Sequence, residues 1–257
     1  MTSYKNLIYE VNQYIATITI NHPPANTWNL ATMEEFEHGI QMAEEDGSVR
    51  VVIITGSGEK CFSAGFDVSD AANADIISPK GRNLWCKIDR FSKPTIAAIN
   101  GHALGGGLEL AMCCHFRIME DNPKAMLGLT ELNLGIIPGW GGTQRLARLV
   151  GRARALEMIL FSKRIDASQA LKIGLVDQKS APGLLMKDTV ELAEKLVNRP
   201  PIAMGCVIDA FSAGLYEGLE RGLEVEAIGS ATVRTTQDRN EGFRAFLEKR
   251  SPKFEGK

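Results

Sequence analysis

Two acids set among apolar residues, with three consecutive glycines just before the first, are the part of this sequence best suited to chemistry. Glu109 lies in Asn100-Gly101-His102-Ala103-Leu104-Gly105-Gly106-Gly107-Leu108-Glu109-Leu110-Ala111. Glu131 lies in Leu129-Thr130-Glu131-Leu132-Asn133-Leu134-Gly135-Ile136-Ile137-Pro138-Gly139. Burial among such neighbours raises a carboxyl pKa toward the range where it both gives and takes protons. Brought together by a fold, the pair would serve as general acid and base. Taken singly, each acid reads first as structural, Glu109 for instance as a first-turn acid stabilised by the helix dipole, and it is the pair that points to chemistry. The glycines allow close backbone approach to a ligand. At a strand-to-helix junction their free N–H groups would hold a phosphate or the oxygen of a developing enolate, or would simply pack helix on strand.

Known spacings narrow the choice. Gly101-xxx-Gly105-Gly106-Gly107 is not GxGxxG, no Lys-Ser or Lys-Thr follows it, and Gly56-Ser57-Gly58-Glu59-Lys60 fails both patterns too. Cys61-Phe62-Ser63-Ala64-Gly65-Phe66-Asp67 supplies a second loop whose backbone donors could join those of the glycine run as an oxyanion hole. Ser63 lacks a GxSxG elbow, and of the four histidines only His102 falls near the proposed site, where it reads as a packing or hydrogen-bonding residue.

The elements that must position these residues follow from periodicity. Ile8–Val11 and Ile15–Ile20 predict a hairpin turning near Asn12-Gln13, and Leu30–Glu45 predicts an amphipathic helix with Met33, Phe36, Ile40 and Ala43 inward. Arg50–Gly56 and Thr95–Gly101 are β-branched runs ending in glycine, the pattern of strands buried on both faces. A helix over Gly106–Cys114 and a strand over His115–Met119 follow. Strands alternating with helices imply right-handed crossovers, with ligands at the carboxyl ends of the strands. Helices are predicted at 143–149, 153–161, 167–173, 184–198, 202–214, 216–233 and 241–250. Leu215, Leu219 and Leu223 recur at helical spacing and need a surface to cover, either the core or another subunit.

Composition bounds the function. The 257 residues are 44% apolar, enough for one large core with a helical appendage, and the net charge of −2 gives no electrostatic case for nucleic acid or membrane binding. No signal core and no run of about 18 apolar residues is present, which predicts an unexported, cytoplasmic protein. The five cysteines lack zinc-like spacing and read as free thiols, so no metal site is expected.

Taken together, four segments resemble the crotonase, or enoyl-CoA hydratase/isomerase, superfamily, in the family's order and along nearly the whole chain. They are Phe62–Asp67, Lys93–Gly101, Ala103–Ala111 and Gly135–Leu146. The resemblance implies an α/β fold: a crotonase-like spiral of ββα units over residues 1–199 carrying an acyl-CoA site, and a C-terminal helical region over 200–257 for assembly into a homotrimer or homohexamer. It implies addition of water across the 2,3-double bond of an acyl-CoA, as in fatty acid β-oxidation. Phe66 and Gly106 N–H would form the oxyanion hole, with Glu109, Glu131 and the Gly139 backbone handling water and proton. Pro24, Ala25, Ala64, Phe66, Asp67, Gly106 and Trp140 would contact substrate, and Lys249 would reach a CoA phosphate, in some relatives from a neighbouring subunit. Coenzyme A enters with the substrate, and neither a metal nor a redox cofactor is implied. Pro23-Pro24 stands where many relatives carry a basic residue. Trp140 replaces a smaller residue and would shorten the acyl pocket or shape it for a cyclic or dienoyl group. The rival readings are an enoyl-CoA isomerase using Glu131 alone, and a non-catalytic acyl-CoA- or RNA-binding scaffold.

Overall fold

The backbone forms a six-stranded sheet and a separate sheet of three short strands. A computed structural model of the chain describes residues 4–257. The first sheet starts with the antiparallel hairpin β1 (Leu7–Asn12) and β2 (Ile15–Ile20). It continues in parallel through β3 (Val51–Gly56), β5 (Thr95–Ile99), β7 (Phe116–Glu120) and β9 (Gln178–Ser180), with Ile15 opposite Val51 and Val52 opposite Thr95. The second sheet is three short parallel strands, β4 (Cys61–Ser63), β6 (His102–Leu104) and β8 (Leu127–Gly128).

The order along the chain makes the spiral. A long strand enters the first sheet, a short strand the second, and a helix returns: β3-β4-α2 (Ala74–Asp89), then β5-β6-α3 (Gly106–Cys113). The run over Thr95–Gly101 is therefore one strand, ending at Ile99, followed by a separate strand that carries the glycine cluster. Helix α1 (Leu30–Glu45) starts at Asn29, whose side chain accepts the Thr32 N–H, and buries Met33, Phe36, Ile40 and Ala43 against the core.

Strand β3 is buried on both faces, as its β-branched run predicts. Val52 and Ile54 join the main core with Trp28, Phe36, Phe62 and Trp85. Val51 and Ile53 join Ile96, Ile118 and Leu185 beneath α7 (Leu185–Val197). Cys61, Cys113 and Cys114 are buried thiols, Cys206 is half-buried and Cys86 is exposed.

Helix α2 was not expected from the sequence. Its buried stripe of Ile77, Gly81, Leu84, Trp85 and Ile88 has helical spacing, but Pro79 inside it reads as a breaker. Pro79 is the sixth residue of the helix, so it removes the ladder bond to the carbonyl of Asp75, and the buried stripe holds the helix together across it. After β8 come α4 (Gly142–Val150), α5 (Arg152–Leu160) and α6 (Ala167–Lys172). The tail is α8 (Pro201–Glu217), α9 (Leu219–Val233) and α10 (Gln237–Glu248). The expected break between residues 214 and 216 falls at Gly218, whose φ of 103° and ψ of 165° only glycine adopts readily. Leu215 therefore lies on α8 and Leu219 and Leu223 on α9, all three exposed, so the predicted stripe is divided between two helices. The last helix starts at Gln237 instead of Glu241, because Thr236 caps it by accepting the Arg239 N–H. Among the described residues no helix is long and apolar enough to cross a membrane.

Candidate active site

Phe66 and Gly106 come together because the loops after β4 and β6 are adjacent. The backbones pass so closely that a methyl on Gly65 would lie 2.9 Å from the Gly106 nitrogen. Phe66 bridges Trp28 in parallel fashion, so the bonds run from Trp28 N–H to Gly65 and from Asp67 N–H to Trp28. That pattern turns the Phe66 N–H away, and it donates to no other described residue. Gly106 opens α3, where first-turn N–H groups lack helical partners, and its N–H is likewise unengaged among the described residues. Gly105 precedes it at φ 52° and ψ −128°, a conformation that aims this end of the helix at the cavity.

A cavity of about 640 Å³ opens beside these donors. Glu109, Glu131, Gly139 and Trp140 line it together with Ala64, Phe66, Gly105 and Gly106. Glu109 lies in the first turn of α3 and is 2% exposed. Its Oε1 accepts the N–H groups of Trp140 at 2.8 Å and Gly142 at 2.7 Å. Burial pushes its carboxyl up to about 7, with Glu131 adding to the rise, while those two hydrogen bonds and Arg145 oppose it. Glu131 starts a 3₁₀ turn over Glu131–Leu134, and its carboxyl faces Gly105, whose added Cβ would lie 3.2 Å from Oε1. Both of its oxygens are buried without a hydrogen-bond partner among the described residues. Burial raises this carboxyl too; the backbone N–H groups of Glu131 and Thr130 lie near it outside hydrogen-bond geometry and offset only part of the effect. Two buried carboxyls, both raised by burial and facing two free N–H donors, can move protons while charge on an oxygen is stabilised.

Trp140 is the floor of this cavity. Its indole is 5% exposed and occupies a slot between α2 and α3, where an added methyl on Gly81 would lie 2.7 Å from Cε2 and one on Gly106 would overlap Cζ3. Trp85 meets its ring edge-on at 5.3 Å between centroids. Trp85 also donates its indole N–H to the Gly106 carbonyl at 3.1 Å, fixing the peptide that follows the free Gly106 N–H.

The remaining expected contacts are dispersed. Ala64 lines the cavity, and its N–H donates to the Ala25 carbonyl at 2.9 Å, placing Ala25 and the exposed Pro24 along the loop leading from it. Asp67 does not line the cavity; its carboxylate caps the next turn through Ser69 and accepts the Thr27 hydroxyl at 3.0 Å. Lys249 ends α10 at φ 54° and does not line the cavity of its own chain. His102 accepts the Met126 N–H at 3.1 Å, and Ser63 accepts the Gly65 N–H at 3.2 Å, so both act on backbone. Sequence reasoning passed over the cavity wall contributed by α2, Ala74 and Ser78, and by the Leu134–Ile137 loop. Only the helical spacing behind Pro79 pointed to the first of these.

The spiral of two sheets, with free donors from the loops after β4 and β6 and acids in α3 and the following turn, is the crotonase fold. The enoyl-CoA hydratase/isomerase family model matches residues 10–257, and the chain belongs to that family. It is similar to the crotonyl-CoA hydratase of Syntrophomonas wolfei, 38% identical over 98% of each chain. It is 37% identical to the 2,3-dehydroadipyl-CoA hydratase of Escherichia coli, over 98% of this chain and 99% of that one. The solved enoyl-CoA hydratase of Bacillus anthracis superposes with a TM-score of 0.94 at 40% identity, covering 98% of this chain and all of the other.

Proposed function

We propose that this protein is an enoyl-CoA hydratase that adds water reversibly across the 2,3-double bond of an acyl-CoA thioester. The observation that carries the reading is the convergence of two buried, raised carboxyls and two unengaged backbone N–H groups on one cavity. Conjugation makes C3 of the substrate electrophilic and moves charge onto the thioester oxygen, where the Phe66 and Gly106 N–H groups receive it. Losing one such donor typically costs about 2.7–4 kcal/mol of barrier. Glu109 and Glu131 hold the water with the Gly139 backbone. As the water oxygen bonds to C3 and the C2–C3 π pair moves to C2, Glu109 takes a proton from the water and Glu131 delivers one to C2; passage of a proton from Glu109 to Glu131 through the next water restores both acids. The hydrogen bonds from Trp140 and Gly142 restrain Glu109 for this role. The reaction calls on no metal or redox group, and coenzyme A arrives with the substrate.

For the acyl group, the Trp140 floor blocks passage between α2 and α3 and directs the chain along Val68, Ala74, Leu134, Ile136 and Ile137. This wall suits a short acyl group, including cyclic or dienoyl thioesters. The pantetheine and adenine would follow Ala64, Ala25, Pro24 and Asp67, with Lys249 on a CoA phosphate supplied by a neighbouring copy. A homotrimer or homohexamer built through α8–α10 is supported by the exposed Phe211, Leu215, Leu219 and Phe246 of those helices. We read the enzyme as cytoplasmic.

Loss of conjugated-thioester absorbance, followed across a panel of 2-enoyl-CoA substrates with wild type, Glu109→Gln and Glu131→Gln, tests the proposal. Hydration by wild type and severe loss in both variants is expected. Full hydration by Glu109→Gln would overturn the paired mechanism, and no turnover by wild type would overturn the enzyme reading.

A further inference from the structure

The loop that restrains Glu109 is itself held from behind by a buried polar chain. Three successive peptide units are involved. The 139–140 and 141–142 units give their N–H groups to Glu109 Oε1. The 140–141 unit between them turns its carbonyl the other way, where Arg145 Nη1 donates to it at 2.9 Å. Arg145 projects from α4, is 7% exposed and lies so close to Gly141 that a methyl there would overlap its guanidinium. The loop is thus clamped between a carboxyl on one side and a guanidinium on the other.

Arg145 has little freedom to move. Its Nε donates to Asp89 Oδ2 at 2.8 Å, at the last residue of α2, and Nη2 lies 3.6 Å from Cys86 Sγ. The same Asp89 oxygen accepts the hydroxyl of Tyr216 from α8, in the C-terminal helical region. Arg90 and Arg148 flank the Tyr216 ring at 5.2 and 5.7 Å from its centroid. The other titratable groups facing this chain are Glu131, Cys113, Cys114, His115 and, behind His115, Arg117. Burial holds the Cys113 thiol well above its ordinary value and holds His115 down to about 4, so both are neutral near pH 7. Burial and the Asp89 hydrogen bond likewise keep the Tyr216 hydroxyl protonated. The charges left to act on the loop are Arg145 and Asp89, with Arg90 and Arg148 behind Tyr216.

We propose that Arg145, oriented by Asp89 and Tyr216, is a positioning residue for Glu109, fixing the 139–142 loop and tying the catalytic acid to helix α8. The inference rests on Glu109 serving as acid and base in hydration. It assigns Arg145, Asp89 and Tyr216 to catalysis without contact to substrate.

Steady-state hydration of crotonyl-CoA as a function of pH, with wild type, Arg145→Lys and Tyr216→Phe, tests it. Arg145→Lys keeps the charge and loses the fork, so kcat falls by about 10- to 100-fold while KM stays near its wild-type value. The ionisation that governs kcat/KM moves upward, because the loop N–H groups bind the carboxylate less well. Tyr216→Phe removes one hydroxyl, leaves the fold intact, and gives a smaller change of the same sign in both readouts. Should Arg145→Lys not fold, the pH profile of Tyr216→Phe decides. Unchanged kcat and pH profiles in a folded variant, or a fall in thermal stability with the ionisation unmoved, overturn the positioning role while wild-type hydration upholds the hydratase reading. Absence of wild-type hydration overturns both.

Discussion

Replacing Glu109 by Gln separates what the acid does to folding from what it does in chemistry. Its carboxyl, 2% exposed, is raised from the ordinary 4.5 to about 7. The unfolded chain releases this proton near 4.5 while the folded chain keeps it to about 7, so the native state binds more protons between those values. Stability therefore falls as pH rises through that window, and the loss is complete above it. The separation corresponds to about 3 kcal/mol at 1.36 kcal/mol per pH unit. Gln carries no titrating proton, and its carbonyl oxygen can still accept the Trp140 and Gly142 N–H groups. At about pH 8 the variant should exceed wild type by up to about 3 kcal/mol, roughly 5 °C in Tm for a chain of this size. Near pH 5 that advantage should shrink sharply. Glu131, raised for the same reason, titrates in both proteins, so only its charge coupling to Glu109 remains in the difference. Hydration should drop by about 10²–10⁴ through loss of the acid–base group. Thermal unfolding at matched protein concentration and two pH values is the assay. A Tm difference that does not change with pH would refute a buried, raised Glu109.

Substitutions at three further positions read the Phe66 and Gly106 loops and the floor. Gly106→Ala should destabilise by about 1–3 kcal/mol, because its methyl overlaps the Trp140 ring; Trp140→Phe added to it should restore part of the thermal stability. Phe66→Ala should keep kcat within about tenfold, since the donor is backbone, whereas Phe66→Pro removes the N–H and should cost about 10²–10³ in kcat. Trp140→Ala should cost about 3–5 kcal/mol and shift the kcat/KM ranking of an acyl-chain panel toward longer chains; an unchanged ranking would remove Trp140 from substrate selection.

The central strands were legible because a strand buried on both faces is almost wholly apolar, as Val51–Ile54 is, with Thr55 placing its hydroxyl on the Ala98 carbonyl. The short strands of the second sheet were not, since two or three residues show no alternation, and so Gly105–Gly107 looked like the end of the Thr95–Ile99 strand. Helix α2 was hidden by Pro79 even though Ile77, Leu84, Trp85 and Ile88 keep helical spacing. Both acids and both loops stood out by residue type and by family motif. What restrains Glu109 did not, because its partners are the backbone N–H groups of Trp140 and Gly142, which any residue but proline supplies. Arg145 lay inside a quoted motif, but nothing in its neighbours disclosed that Asp89, 56 positions away, and Tyr216 converge on it.

The central claim is that Glu109 and Glu131 together add water at C3. Turnover of crotonyl-CoA in heavy-oxygen water, with the product analysed by mass spectrometry, measures that directly. The account predicts a 3-hydroxyacyl-CoA carrying one solvent-derived oxygen from wild type and almost none from Glu109→Gln or Glu131→Gln. A product with a shifted double bond and no solvent oxygen, or undiminished incorporation by Glu109→Gln, would contradict it.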